Sequence, residues 1–131
     1  MEISQLIKVA RGEEPAELLL KNARVVNVFS GEIEETGVAI THSRVIGLGN
    51  DYPAQRTVDL NGKYIAPGFI DAHVHIESAM VPPFEFARAV VPHGTTSVLI
   101  DPHEIANVLG VEGIRYMLEA SKYTPFSVYV M

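Results

Sequence analysis

The sequence PGFIDAHVHIES, residues 67–78, decides how the rest of this chain is interpreted. Side chains alternate between the two faces of a β-strand, so a strand through this segment would have two different faces. One face would be apolar and would comprise Ile70, Ala72, Val74 and Ile76. The other face would carry Phe69, Asp71, His73 and His75. The apolar face is typical of a strand covered by helices, and the opposite face carries groups that can do chemistry.

His73 and His75 are the candidate metal ligands. Two neutral imidazoles on one strand face, separated by a single residue, can both reach one divalent ion at about 2.0–2.2 Å. A lone histidine is more often a hydrogen-bonded core residue. A His-x-His pair on the polar face of an otherwise apolar strand instead favours metal ligation.

Composition excludes several functional classes. The chain has 131 residues, enough for one core, with 47% hydrophobic and 20% charged residues. The net charge of −6 gives no indication of a nucleic-acid or anionic-membrane partner. The absence of cysteine excludes disulfides, thiolate ligands and cysteine nucleophiles. No apolar run approaches the roughly 20 residues of a membrane span, and the first residues lack a signal-peptide pattern, so a cytoplasmic location is expected.

The first half of the chain predicts a short helix followed by β-structure. Apolar residues at helical spacing predict an amphipathic helix within residues 1–12, whose packing face comprises Ile3, Leu6, Ile7 and Ala10. Residues 13–63 contain short β-rich runs separated by turn signals, one of them at Lys21-Asn22, and predict a small antiparallel sheet. His42 falls at a predicted hairpin tip and is expected to be an exposed turn residue.

Residues 64–131 predict an α/β arrangement. After the His-x-His strand come a helix over Phe84–Val91, a strand over Thr95–Ile100, helical structure over Asp101–Lys122 and a strand over Phe126–Met131. This order indicates a parallel sheet with right-handed crossovers. Three strands cannot close a barrel, which takes about 250 residues. We therefore expect the segment to be part of a larger protein, or to pair its open edge with another chain.

Asp101-Pro102-His103-Glu104 has two interpretations. The first is helix capping, with aspartate at the N-cap, proline at the first helical position and glutamate completing a capping box. The second is a functional loop at the carboxyl end of the second strand, where α/β barrels place their active sites. Capping does not require a histidine at position 103, so both interpretations stay open for His103. Glu104 is expected to cap, with a second role at the site.

Three further polar residues near the predicted strands and helices are expected to have supporting or structural roles. Glu77 either orients a ligand imidazole or is a solvated loop acid. Asp71 is expected to be hydrogen-bonded inside the domain rather than bound to metal, since a buried carboxylate needs partners. His93 is expected to complement a helix C-terminus.

These residues carry a family resemblance that covers about Glu17 to Tyr123. PGFIDAHVHIES resembles the first barrel strand of the amidohydrolase superfamily, the metal-dependent hydrolases that include ureases, dihydroorotases and hydantoinases. Residues 18–49 and 61–71 look like the β-sandwich segment that precedes that barrel. HIESAM and PHGTTSVLIDPHEIANVLG are similar to the adenine deaminase family within it. His42-Ser43 departs from the Asp/Gly of many relatives, at the turn and not at the site.

The resemblance implies a fold and a reaction. The fold would be an α/β (β/α)8 barrel, of which residues 64–131 form the first three strands, preceded by an incomplete β-sandwich segment over residues 13–63. The reaction would be hydrolytic deamination of adenine to hypoxanthine and ammonia, as in purine salvage. His73 and His75 match the metal ligands of strand one, and His103 and Glu104 lie near the site as candidate catalytic residues. The metal would be manganese or iron, with zinc also compatible.

Two alternatives stay open. Another amidohydrolase acting on cyclic amides would show the same His-x-His strand. A non-catalytic protein that oligomerises through its open sheet edge would also fit, since FSVYVM is apolar and prone to strand pairing. A homo-oligomer, or association through the open sheet edge, is expected. The 131-residue piece alone is expected to be inactive because two histidines are fewer than the three protein ligands of typical catalytic sites.

Overall fold

The computed structural model describes residues 3–131. The chain divides into two compact units, Met1–Pro67 and Gly68–Met131, and each is described by itself.

The first described element of the first unit is helix α1, Ile3–Ala10, and Gly12, two residues past its end, has a φ of +75°. The helix is where the sequence predicts it, but the predicted packing face is wrong. Val9 is the buried residue, while Ile3 and Ile7 are exposed. Val9 packs in one cluster with Ala16, Leu19 and Ala39 of the following sheet. The buried side of a short helix is set by where the sheet lies, which periodicity alone does not reveal.

The sheet of the first unit has five strands in the order β3-β2-β1-β4, with β5 also paired to β1. The strands are β1 (Ala16–Asn27), β2 (Glu32–Thr41), β3 (Arg44–Leu48), β4 (Ala54–Asp59) and β5 (Tyr64–Ile65). The pairs β1–β2 and β2–β3 are antiparallel, but β4 and β5 run parallel to β1. The sheet is therefore mixed, and the predicted purely antiparallel sheet is wrong, because the return of β4 to β1 is a non-local pairing.

Lys21-Asn22 is not a turn between strands, as the sequence predicts, but an irregularity inside β1. The register with β2 shifts between Leu20 and Ala23, and Asn22 has a φ of +55°. Asn22 offsets the interrupted pairing with two hydrogen bonds, from its backbone N–H to Asn50 Oδ1 at 2.9 Å and from Nδ2 to Asp59 Oδ2 at 2.8 Å. An asparagine that tolerates positive φ gives the same local signal in a bulge and in a turn.

The second unit is a parallel three-stranded sheet, in the order β6-β7-β8, with helices between the strands. The strands are β6 (Phe69–Val74), β7 (Thr95–Ile100) and β8 (Ser127–Val130). The helices are α2 (Pro83–Val90), α3 (His103–Leu109) and α4 (Val111–Ser121), with 3-10 turns at Glu77–Ala79 and Val91–His93. This confirms the predicted α/β order and the predicted bounds of β7. It corrects the His-x-His strand, which ends at Val74, so that His75 follows it.

The core of the second unit includes residues from the carboxyl ends of β6 and β7. Its buried members are Ile76, Ala87, Val98, Ile100, Met117 and Phe126. Ile76 is 0% exposed although it lies past the end of β6, whereas Ile70 within β6 is 65% exposed. The predicted apolar face is therefore buried only at its carboxyl end, where Val74 and Ile76 pack into the core. The two sequence neighbours of His75 therefore belong to the core or pack against it.

Candidate metal centre

The candidate site forms where β6 and β7 end side by side. The two strands are parallel, and Val74 is paired with Ile100, so the next residues of both strands leave the sheet at the same edge. The backbone N–H of Asp101 donates to the carbonyl of Val74 at 3.3 Å, which extends the pairing by one step. His75 and Asp101 are thereby neighbours although 26 residues separate them in the chain.

His75 is oriented by the backbone. Its Nδ1 lies 2.8 Å from the carbonyl oxygen of Asp101. A carbonyl can only accept, so Nδ1 carries the proton and donates. In the neutral ring the lone pair is then on Nε2, the tautomer of a metal ligand whose other nitrogen is fixed by a carbonyl.

His73 directs its ring at the same point. The two Nε2 atoms lie 3.1 Å apart, and the rings meet edge to face with centroids 4.9 Å apart. Two ligand atoms that are each about 2.1 Å from one ion lie about 3.0–3.4 Å apart when the angle at the ion is about 90–110°. The separation therefore fits a shared divalent ion. Without one, a proton on His73 Nε2 would be donated to His75 Nε2.

His103 and Asp101 extend the cluster along the loop after β7. His103 Nδ1 lies 3.1 Å from Asp101 Oδ2, and the His103 ring meets that of His75 with centroids 4.8 Å apart. Potential ligand atoms lie within 4.8 Å of one another in two sets that share His75. The sets are His73, His75 and Asp101, and His75, His103 and Glu104. Imidazole nitrogens and carboxylate oxygens suit zinc, manganese and iron.

The capping interpretation of this loop is wrong. Helix α3 starts at His103, and Pro102 is its N-cap residue with no side-chain cap bond. Asp101 instead directs its carboxylate to His103 and its carbonyl to His75. Glu104 does not close a capping box, because its two oxygens accept from Ser78 Oγ at 2.8 Å each. Pro102 has a φ of −82° and a ψ of +37°, which starts the helix one residue later than a cap at Asp101 requires.

The secondary candidates divide into exposed and buried residues. Asp71 Oδ1 accepts from the backbone N–H of His73 at 3.2 Å, and Asp71 is exposed. His93 lies in the last 3-10 turn before Gly94 and is exposed. Both carboxylate oxygens of Glu77 are buried and have no hydrogen-bond partner among residues 3–131. Glu77 is therefore not a solvated loop acid.

The sequence did not predict two of the residues at the site, Asp101 and Ser78, as site residues. Asp101 is assigned a specific role only by the capping interpretation, and Ser78 is assigned no role. The available signal was position, since both follow within a few residues of a parallel strand's carboxyl end, where side chains of neighbouring loops converge. Composition gave none, because serine and aspartate are common in loops.

Comparison with known proteins identifies the chain's relatives. The model of the Amidohydrolase family matches residues 64–131. The chain belongs to the amidohydrolase family. Its structure resembles that of N-acyl-D-glutamate deacylase from Bordetella bronchiseptica, solved with zinc and a phosphonate inhibitor, with a TM-score of 0.53 and 22% identity over 66% of this chain and 19% of that one. This likeness concerns the fold alone.

Curated relatives are more similar in sequence. The chain is 54% identical over its whole length to an adenine deaminase of Kosmotoga olearia and 55% identical over 98% of its length to adenine deaminase 2 of Carboxydothermus hydrogenoformans. It spans 23% and 22% of the length of these two relatives. The resemblance predicted from the motifs is thus confirmed, as is the prediction that the sequence corresponds to a portion of a longer protein.

Membership of the amidohydrolase family implies a divalent metal, and the donors at the β6–β7 edge fit one. None of the helices in the part of the chain that the structure describes is long and apolar enough to cross a membrane.

Proposed function

We propose that this amidohydrolase chain is part of a metal-dependent adenine deaminase that converts adenine and water to hypoxanthine and ammonia. Two facts support the substrate: the chain is 54% and 55% identical to two adenine deaminases, and the two alignments cover 100% and 98% of its length. The observation that carries the metal dependence is the pair of Nε2 atoms, 3.1 Å apart, on His73 and His75.

In this proposal His73 and His75 hold the ion through Nε2. The carbonyl of Asp101 keeps the Nδ1 proton of His75 in place, which fixes the ligand tautomer and the plane of the ring. Manganese or iron is the proposed metal, and zinc is compatible with the same donors. Further ligands would come from strands outside this sequence.

A bound divalent ion lowers the pKa of a coordinated water and so supplies a nucleophile near neutral pH. His103 and Glu104 are the proposed proton carriers. Both have a ligand atom within 4.8 Å of that of His75, and both are exposed, so a substrate at the same edge could reach them. A carboxylate there can accept the proton of the attacking water and return it to the amine that leaves.

The finer architectural expectations belong to the same proposal. Residues 64–131 would form the first three strands of a (β/α)8 barrel, residues 13–63 part of a β-sandwich, and residues 1–12 a separate helix. The enzyme would act in the cytoplasm as a homo-oligomer.

The test uses the full-length protein that carries this sequence, prepared without metal and then supplied with Mn²⁺, Fe²⁺ or Zn²⁺. We expect loss of adenine and release of ammonia with at least one metal, and no hydrolysis of dihydroorotate or hydantoin. Turnover of a cyclic amide without turnover of adenine would replace the proposed substrate. No turnover of any of them would refute the proposal. Residues 1–131 alone are expected to be inactive, and adenine turnover by them would contradict the need for further ligands.

A further inference from the structure

Two loops at the candidate site are joined by one side-chain contact. Ser78 lies in the 3-10 turn that follows β6, and Glu104 lies in the first turn of α3 after β7. Ser78 Oγ is 2.8 Å from both Glu104 Oε1 and Glu104 Oε2. The serine hydroxyl has one proton, so it donates to the two oxygens as a shared bond or to one at a time.

The backbone around Ser78 fixes the position of the hydroxyl. The N–H of Ser78 donates to the carbonyl of His75 at 3.2 Å, and the N–H of Ala79 donates to the carbonyl of Ile76 at 3.0 Å. Ile76 is fully buried in the core. Ser78 is therefore tied to the residue whose ring is the proposed ligand, and its turn is anchored on the packed interior.

Glu104 has no comparable restraint of its own. Its side chain is exposed, and helix α3 receives no side-chain cap from it. A glutamate side chain has three rotatable torsions and loses that freedom only where a partner holds it. Ser78 Oγ is the hydrogen-bond donor on its carboxylate in the described part of the chain, and this contact coincides with the position in which Glu104 lies within 4.8 Å of the ligand atoms of His75 and His103.

We propose that Ser78 is a positioning residue that holds the Glu104 carboxylate at the imidazole cluster. The inference rests on the proposed function, since it assigns Ser78 a part in the same site. Ser78 acts through Glu104 by donating a hydrogen bond. Any hydroxyl at this position can replace it, and its removal has no consequence once Glu104 is gone.

The experiment compares four variants of the full-length protein: Ser78→Ala, Ser78→Thr, Glu104→Ala, and the double variant with Ser78→Ala and Glu104→Ala. Ser127→Ala is the matched control. Ser127 is an exposed serine at the amino end of β8, and the site lies at the carboxyl ends of the parallel strands. Two quantities are measured. They are the dissociation constant for Mn²⁺ of the metal-free protein, and kcat and KM for adenine.

Because the Glu104 carboxylate lies within 4.8 Å of the ligand atoms of His75, we expect Ser78→Ala to raise the Mn²⁺ dissociation constant about tenfold. We expect the same variant to lower kcat about tenfold, while KM changes less than about threefold. Ser78→Thr, which keeps the hydroxyl, and Ser127→Ala should stay within about twofold of the natural protein. In the Glu104→Ala background, removal of Ser78 should change neither quantity by more than about twofold.

Three results would overturn the inference. They are a Ser78→Ala variant that matches the natural protein, a Ser78→Thr variant that loses as much as Ser78→Ala, and an undiminished loss in the Glu104→Ala background. The Mn²⁺ titration requires no substrate. An enzyme that binds Mn²⁺ more weakly after Ser78→Ala but never deaminates adenine would refute the proposed function and leave Ser78 as a positioning residue. Normal adenine turnover in Ser78→Ala would support the proposed function and refute the role of Ser78 as a positioning residue.

Discussion

A histidine is held by a carboxylate in one region of the molecule and by a backbone carbonyl in another. At the turn between β2 and β3, His42 Nδ1 lies 2.6 Å from Glu17 Oε1, and the His42 backbone N–H donates to Glu17 Oε2 at 3.0 Å. At the β6–β7 edge, His75 Nδ1 donates to a backbone carbonyl, and its Nε2 faces His73. The ring of the first histidine contacts an exposed acid, whereas the Nε2 of the second is directed at the point that His73 also faces.

The difference shows what makes a histidine a ligand candidate. Exposed contacts between polar side chains such as His42 and Glu17 contribute little, because water screens both groups. A backbone carbonyl cannot move away or take up a proton, so it fixes both the tautomer and the direction of the remaining nitrogen. Placement at the carboxyl ends of parallel strands then adds His103 and Glu104 to the same edge.

The largest expected effect is that of His75→Ala. In the full-length protein we expect at least about a 1000-fold fall in kcat/KM for adenine, together with loss of bound metal, because a ligand nitrogen is removed from the ion. His42→Ala is the matched control and should stay within about twofold. Steady-state kinetics and metal analysis measure both variants. Equal effects of the two substitutions would erase the distinction between the two regions.

Ile76→Ala tests whether the packed core supports the edge. Ile76 is fully buried directly after His75, so its truncation should lower the free energy of unfolding by about 2–4 kcal/mol. Ile70→Ala, at a position that is 65% exposed in the same chain segment, should cost less than about 1 kcal/mol. Urea unfolding of residues 1–131, the chain to which these exposed fractions apply, measures both. Similar costs would mean that the core does not lie where the structure has it.

Glu104→Gln removes the charge at the site while keeping the shape of the side chain. We expect kcat for adenine to fall about 30-fold, since a carboxylate is needed to accept a proton. Glu112→Gln, which removes an exposed acid paired with Arg115 in α4, should leave kcat unchanged within about twofold. An unchanged kcat in Glu104→Gln would exclude Glu104 as the proton carrier and leave His103.

The smallest effect is expected at the hairpin. The hydrogen bond from the His42 backbone N–H lowers the pKa of Glu17, with a smaller opposing contribution from partial desolvation. A lowered carboxyl pKa contributes stability above the pKa of the unfolded chain, and this contribution is lost as pH falls through the lower folded value. Between about pH 5 and pH 3 the unfolding temperature should therefore fall slightly further in the natural protein than in Glu17→Gln. Parallel curves would contradict the shift.

Local sequence signals predicted much of the second unit. The β7 sequence TTSVLI is rich in β-branched residues and lies between Gly94 and Pro102. The strand has the predicted bounds. Spacing predicts His73 and His75 as ligands, and position after β7 predicts His103 and Glu104 near the site; the structure brings these side chains together, and their roles stay predictions. In each case the signal lies within a few residues.

Non-local contacts account for what the sequence could not predict. The parallel return of β4 to β1 joins segments that are far apart in the chain, and no turn signal encodes it. The role of Asp101 depends on its carbonyl meeting His75 across two strands, and Ser78 matters only because Glu104 is brought opposite it. A capping box was a complete local explanation of Asp101 and Glu104, and only the neighbouring strand shows that it is wrong.

The most direct measurement is the anomalous diffraction of a crystal of the full-length protein grown with Mn²⁺. The account predicts a manganese peak about 2.0–2.2 Å from the Nε2 atoms of both His73 and His75, with the Nδ1 of His75 still bonded to the carbonyl of Asp101. A peak elsewhere, with the two imidazoles hydrogen-bonded to each other or rotated away, would contradict it.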